Sequence, residues 1–297
     1  MVDLRKIFCP KVRGKVMYGL SFLPDKIYLQ IFYFATTGRF INFKNPKGFN
    51  EKQQWLKVNN RRQEYSKLVD KLRVREHIDE QLGEGHVFDL LGYWKSFDEI
   101  NFDKLPDSFV LKCNHDSGST TVIRDKSKLT EADFDKMRKL YTKRLSKDFF
   151  YAGREYPYKN LDRYIIAEKL MVDEEHPEKS IEDYKFFCFN GEPKVMFVAT
   201  DRSTDCRFDF FDMDFNHLDL INIHPNADKP IKKPEMFDEM KEIAAKLSKD
   251  IPFVRIDLYQ LNGKIYFGEY TFFHGGGFQL CHPEKWERQL GDWINLK

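Results

Sequence analysis

The stretch Val254–Gly277, VRIDLYQLNGKIYFGEYTFFHGGG, limits what this chain can fold into more than any other. Val254, Ile256 and Leu258 alternate with Arg255, Asp257 and Tyr259. Asn262-Gly263 then supplies a two-residue turn, and Lys264–Thr271 returns. That is the period and punctuation of a β-hairpin. Alternation puts Arg255 and Asp257 on one face, and likewise Phe267, Glu269 and Thr271. A simple register can set Asp257 opposite Glu269. Two facing carboxylates repel, and a divalent cation between them removes the repulsion; oxygen-only ligands suit Mg²⁺ or Mn²⁺ held together with phosphates. Ordinary surface charges on a solvated hairpin are the other reading, and the stretch alone leaves both open.

Composition narrows the class. With 297 residues the chain can bury a sizeable core, and 41% hydrophobic with 32% charged residues is a globular balance. A net charge of +2 argues against a dedicated nucleic-acid binder. The 28 phenylalanines and 14 tyrosines suit sheets with aromatic faces. Five scattered cysteines without a C-x-x-C pair argue against a disulfide framework or structural zinc and point to a reducing compartment.

The first 15 residues are basic, with Arg5, Lys6, Lys11, Arg13 and Lys15 against Asp3. Residues 16–36 are apolar and aromatic but are cut by Pro24-Asp25-Lys26, and Ile27–Ala35 is too short to span a bilayer. No signal-peptide pattern is present. The segment reads as helices packed on the core, or as a basic aromatic surface for a membrane or a membrane-bound partner. Phe49–Leu82 reads as two helices, the first capped by Asn50, and Val87–Trp94 as a strand. Phe109–Cys113 is a strand holding Lys112. The small polar loop Asn114–Thr121 follows, and Val122-Ile123 resumes the strand; the loop's N–H and hydroxyl groups can close over phosphates. It is not a Walker A loop, because no G-K-[ST] occurs in it. Thr130–Lys147 is a helix, and Arg163–Met171 a strand in which Glu168-Lys169 interrupts an apolar run. Asp183–Asp201 is a hairpin turning at Asn190–Pro193, Arg207–Leu220 a second strand pair, and Phe237–Lys249 an amphipathic helix. Gly275–Gly277 either lets backbone approach a ligand or simply turns tightly. A short helix ends the chain within His282–Leu296.

A cation in a helix, a strand lysine with a small-residue loop, a Glu-Lys strand end, and R-x-D followed by E-x-T occur here in that order. The order resembles the ATP-grasp superfamily, and most closely its TupA-like (teichuronopeptide-biosynthesis-like) members from bacterial surface-polysaccharide gene clusters. FNEKQQWLK, LVDKLRVREHI, LPDSFVLKCNHDSGS, DYKFFCFNGEPK and RIDLY…GEYTF carry the likeness, which covers most of the chain from about residue 38. The resemblance implies an α+β ATP-grasp fold, with two α+β sub-domains clasping ATP and a helical N-terminal extension. Its divisions would be residues 1–48 for the extension, 49–107 for the N-terminal part, 108–171 for the lid, and 172–297 for the C-terminal sub-domain with the metal site.

The resemblance also implies roles. Arg75 and Lys112 take the phosphate-binding cation positions, and Arg255 faces the transferred phosphoryl group. His115, Asp116, Ser117, Gly118, Ser119, Thr120 and Thr121 match the phosphate loop. Glu168, Lys169 and Leu170 match the adenine hinge, with Asp183 at the ribose. Asp257 and Glu269 match the Mg²⁺ ligands, and Thr271 stands where the superfamily has Asn. Lys185 and Arg202 can hold an anionic substrate or serve salt bridges; His115 and His274 are positional candidates for a base. The implied reaction is ATP-dependent carboxylate–amine ligation through an acyl phosphate. It would take ATP, Mg²⁺ (or Mn²⁺) and glycan-related carboxylate and amine substrates in surface or capsular polysaccharide synthesis. The implied location is the cytoplasm, with residues 1–36 a peripheral membrane or assembly contact. An ATP-dependent phosphotransferase and a glycosyltransferase are the alternatives; Asp212-Met213-Asp214 is a D-x-D that reads equally as a turn.

Overall fold

The computed structural model describes residues 16–176, 181–200 and 205–296. The basic run before residue 16 and Arg202 lie outside the described residues. After a helical turn at 16–19, helix α1 is Asp25–Thr37, followed by α2 (Phe49–Asn59), α3 (Tyr65–Val69) and α4 (Val74–Leu82). Strands β1 (Leu90–Trp94), β2 (Phe109–Cys113) and β3 (Thr121–Ile123) precede α5 (Glu131–Leu145) and β4 (Ile165–Lys169). The rest is β5 (Asp183–Phe189), β6 (Glu192–Thr200), β7 (Arg207–Phe211), α6 (Phe237–Leu247), β8 (Val254–Leu261), β9 (Lys264–Thr271) and α7 (Glu284–Trp293). The fold is α+β with two antiparallel sheets and a helical N-terminal region.

The chain divides into two compact units. One takes the residues through Arg61, Tyr151–Tyr156 and everything from Ser180 on; the other takes Arg62–Phe150 and Pro157–Lys179. In the first unit a five-stranded sheet runs β7-β6-β5-β8-β9. One face of this sheet is covered by α6, whose Phe237, Met240, Ile243, Ala244 and Leu247 are buried. Phe186 meets Phe237 at 6.0 Å, and the Tyr270 hydroxyl donates to Leu247 O at 3.1 Å. In the second unit a four-stranded sheet runs β1-β4-β2-β3. Phe109, Leu111, Cys113, Ile123, Ile165 and Ala167 pack there with Met137 and Tyr141 of α5 into one core. Thr130 caps α5 with a reciprocal Asp133 bond.

Three local expectations are corrected. The segment expected as two helices forms three, and Asn50 does not cap the first. Glu51 reaches back to Gly48 N at 3.1 Å instead, while Asn50 is buried inside α2 and donates to Gln279 O and Glu287. Buried polar contacts outbid its capping preference. Arg207–Leu220 is a single strand, not a pair; its return meets β7 only at the bridge Phe211–His217. Finally, β9 carries a bulge. Asp257 pairs with Glu269 and Leu258 with Phe267, so Gly268 is the extra residue. Phe267 therefore lies on the face opposite Glu269.

Candidate functional site

The strand registers of the first unit line up the residues singled out from the sequence. Lys185 stands opposite Phe197 on β6 and opposite Asp257 on β8, and Asp257 stands opposite Glu269 on β9. Residues paired across a sheet share a face, so one row reads Phe197, Lys185, Asp257, Glu269. The next row sets Arg255 between Phe187 and Thr271. The facing carboxylates are compensated by the protein's own cations. Arg255 donates to Asp257 from Nε and Nη2, both at 2.6 Å, and from Nη2 to Glu269 at 3.2 Å. Lys185 contacts Asp257 and lies 2.6 Å from Asp183. Asp183, Lys185 and Asp257 are buried, whereas the Glu269 side chain is 34% exposed. Burial raises the Asp257 pKa, but Arg255 and Lys185 outweigh it and hold the group down at about 2.

Behind Arg255 runs a chain of polar contacts that sequence reasoning missed. Arg255 Nη1 meets His274 Nδ1 at 2.9 Å, and His274 Nε2 meets Asn222 Oδ1 at 2.8 Å. The Asn222 amide nitrogen donates to Gln279 O at 2.9 Å and Leu280 O at 3.2 Å, which turns its oxygen toward the histidine. Guanidinium only donates, so Nδ1 is the acceptor and the proton sits on Nε2. Burial, with Arg255 adding to it, pushes the His274 pKa well down. Its one lone pair is occupied by Arg255, so His274 orients the guanidinium and has no lone pair left to act as a base. Gly275–Gly277 take left-handed φ of 58°, 64° and 65°. Lys57 grips Gly276 O at 2.6 Å, and a Cβ on Gly277 would sit 2.5 Å from Gln54 Nε2. The glycines serve a tight turn held by α2.

In the second unit the open face of the sheet carries Lys112 and Glu168. Lys112 Nζ lies 2.5 Å from Glu168 Oε2, and Arg75 Nη1 lies 3.5 Å from Oε1. Arg75 also donates to Phe88 O. One carboxylate thus holds both expected phosphate cations in place. Lys169 N–H is taken by Asp89 O at 2.9 Å, so that hinge donor is already used; Leu170 follows immediately after β4. The loop after β2 is held from inside. Asn114 donates to Asp70 at 2.9 Å and to Asp162 O at 2.9 Å, and accepts from Tyr164 N at 2.8 Å. Ser119 accepts from Cys113 N and donates to Asp116 at 2.5 Å, and His115 lies between Asn114 Oδ1 and Arg144 O. His115, Asp116 and Ser119 are buried, whereas Ser117, Gly118 and Thr120 form the exposed tip. Arg144, from α5, bonds Ser117 O and Gly118 O. Asp70, Asn114 and Arg144 were not singled out because their partners lie tens of residues away.

Asp212 spends its carboxylate on Asp214 N, Asn216 N and Asn216 Nδ2 at 2.8–3.0 Å, so the D-x-D is a turn. Among the described residues no group of three His, Cys, Asp or Glu could hold a metal. The oxygen donors on the first sheet nevertheless fit a hard cation. Among the described residues Asp257 Oδ1 accepts only from Arg255 Nε, Glu269 Oε1 takes Arg255 and the Thr271 hydroxyl (3.3 Å), and Glu269 Oε2 remains. One or two carboxylates completed by phosphate oxygens is how Mg²⁺ is commonly bound.

Comparison with known proteins gives one family match, to the TupA-like ATP-grasp model over residues 51–295. No curated protein matches the sequence. Among solved structures, the chain is similar to a D-alanine–D-alanine ligase from Bacillus anthracis complexed with ATP. That likeness has 14% identity and a TM-score of 0.42, and covers 76% of this chain and 58% of that one. It is also similar to the ATP-grasp ligase PsnB complexed with minimal precursor, at 10% identity, TM-score 0.39 and 76% and 61% coverage. A RimK domain protein from Sphaerobacter thermophilus is similar at 7% identity, TM-score 0.40 and 77% and 69% coverage. The chain thus spans under two thirds of the first ligase and of PsnB.

Proposed function

Since this chain belongs to the TupA-like ATP-grasp family, we propose that it is an ATP-dependent carboxylate–amine ligase working through an acyl phosphate. The observation that carries the reading is the opposite charge balance of the two sheet faces. On the second unit, Lys112 and Arg75 share the single carboxylate of Glu168, which leaves positive charge for phosphates. On the first, Asp183, Asp257 and Glu269 exceed Arg255 and Lys185, which leaves negative charge for a cation.

Roles follow from those surroundings. Lys112 and Arg75, pre-placed by Glu168, neutralise polyphosphate oxygens, and the N–H groups of the Ser117–Thr120 tip add donors. Glu168, Lys169 and Leu170 bear the adenine, and Asp183 is assigned to the ribose. Asp257 and Glu269, with the Thr271 hydroxyl, would hold Mg²⁺, which when bound would neutralise phosphate charge. Arg255 spends four of its five N–H groups on Asp257, Glu269 and His274, which leaves the fifth, on Nη1, as the donor for the phosphoryl oxygen developing charge. The step needs positioning and neutralisation more than covalent help.

The substrates in this reading are a glycan or uronic-acid carboxylate and an amino acid or amino sugar, in cytoplasmic steps of surface or capsular polysaccharide synthesis. The segments shared with the TupA-like family support it. The test is incubation with Mg·ATP, a uronic-acid glycan and mixed amino acids, with Glu269→Gln as control. ADP and phosphate released only when both substrates are present, and lost in the variant, is the expected result. ADP with the phosphate retained on the glycan makes the protein a phosphotransferase. Turnover unchanged in Glu269→Gln removes the site assignment.

A further inference from the structure

Helix α1 is apolar on two sides, with Lys26, Gln30 and Thr37 on the strip between them. Tyr28, Leu29, Phe32 and Tyr33 are buried in a cluster with Ile41 and Phe278. The opposite side shows Ile27 (51% exposed), Ile31 (42%) and Phe34 (36%), spaced four and three residues apart and therefore on one face. Phe40 (67%) stacks on Phe34 at 4.5 Å, and Phe22 (76%) stands just before the helix. Among the described residues no other stretch exposes more than two large hydrophobic side chains. An exposed apolar patch of this kind marks an interaction surface.

Charge identifies the partner. Residues 1–48 hold nine Lys and Arg against Asp3 and Asp25, a net +7 in a chain whose total is +2. Asp25 is already neutralised inside the unit, by Arg61 and by Arg154 at 3.2 Å. Lys26, within the helix, and Arg39, Lys44 and Lys47, soon after it in sequence, are exposed, with Arg39 paired to Glu284 at 3.0 Å. An apolar helix face flanked by cations matches a surface that is greasy inside and anionic at its rim. A 13-residue helix reaches only about 20 Å, short of the roughly 30 Å hydrocarbon core. No helix among the described residues is long and apolar enough to cross a membrane.

We infer that the exposed face of α1 docks the protein on an anionic lipid bilayer, with Phe22, Ile27, Ile31, Phe34 and Phe40 entering the headgroup–acyl boundary. The inference does not rest on the ligase reading, and its test reads no nucleotide. The full chain is floated with vesicles of phosphatidylglycerol and phosphatidylcholine, and with phosphatidylcholine alone. Binding to the anionic vesicles, weaker on the neutral ones and weakened by salt, is expected. The Ile31→Glu/Phe34→Glu double variant should bind about tenfold more weakly or worse, because affinity scales with buried apolar area. Phe22→Ser/Phe40→Ser, at the two most exposed positions, gives the same readout should the first variant fold poorly. No binding to anionic vesicles, or undiminished binding by folded variants, overturns the inference. A wild-type dimer that these changes dissociate, without vesicle binding, assigns the face to a second copy and overturns it equally.

Discussion

Both sheets set two cations around one buried carboxylate, but they finish the arrangement differently. In the second unit Glu168 meets Lys112 and Arg75, and among the described residues no further acid joins them. In the first, Asp257 meets Arg255 and Lys185, and Asp183 and Glu269 join the same group. Burial differs as well. The Lys112 and Arg75 side chains keep 17% exposure, whereas Lys185 keeps 8% and Asp257 1%. Under the proposed function, similar ion-pair chemistry would serve as an anion receptor or a cation receptor according to one or two extra carboxylates.

The largest effect should come from breaking the more buried group. Asp257→Asn strands Lys185 and Arg255, and should destabilise the protein by about 3–5 kcal/mol in denaturant unfolding. Glu168→Gln, whose cations stay partly hydrated, should cost about 1–3 kcal/mol. Equal losses would erase the distinction between the two groups. Lys112→Ala and Glu269→Gln should each lower ATP turnover by about a hundred- to a thousandfold, while the unfolding midpoint moves little.

Acid provides a third probe. Asp257 is held at about 2 in the folded state, below its unfolded value of roughly 3.9. Its contribution is complete above the unfolded value and is lost as pH falls from about 4 toward 2. Stability measured against pH should show that fall in the wild type, and Asp257→Asn should flatten it. A fall equally steep in the variant would place the acid-sensitive group elsewhere. The smallest contrast lies in the loop after β2. Ser119→Ala removes two internal bonds and should cost about 1–2 kcal/mol, and Ser117→Ala, at the exposed tip, under about 0.5 kcal/mol.

Much of this architecture is legible in the sequence, for reasons that can be named. The β8–β9 hairpin announces itself through period two and Asn262-Gly263, whose φ values of 50° and 69° suit that dipeptide. From it the facing of Asp257 and Glu269 follows. The bulge at Gly268 was missed, although the spacing of the buried Ile265, Phe267 and Tyr270 changes from two to three there. Only part of what neutralises the acid pair was legible: Arg255 shares a strand face with Asp257, but Lys185 lies 72 residues from Asp257 and the two meet only through sheet order. The β2 loop misled in the same way. Its small polar residues read as groups available to close over phosphates, but Asn114 ties the loop to Asp70, 44 residues earlier, and to Asp162, 48 later. Local composition reports hydrogen-bonding capacity, and only the fold decides whether the protein itself uses it.

The most direct test of the two-receptor account is calorimetric titration of ATP, with and without Mg²⁺, into the wild type, Lys112→Ala and Glu269→Gln. The account predicts that Lys112→Ala weakens ATP binding in both conditions, whereas Glu269→Gln removes only the gain that Mg²⁺ brings. ATP affinity unchanged by Lys112→Ala, or a full Mg²⁺ gain kept by Glu269→Gln, would contradict it.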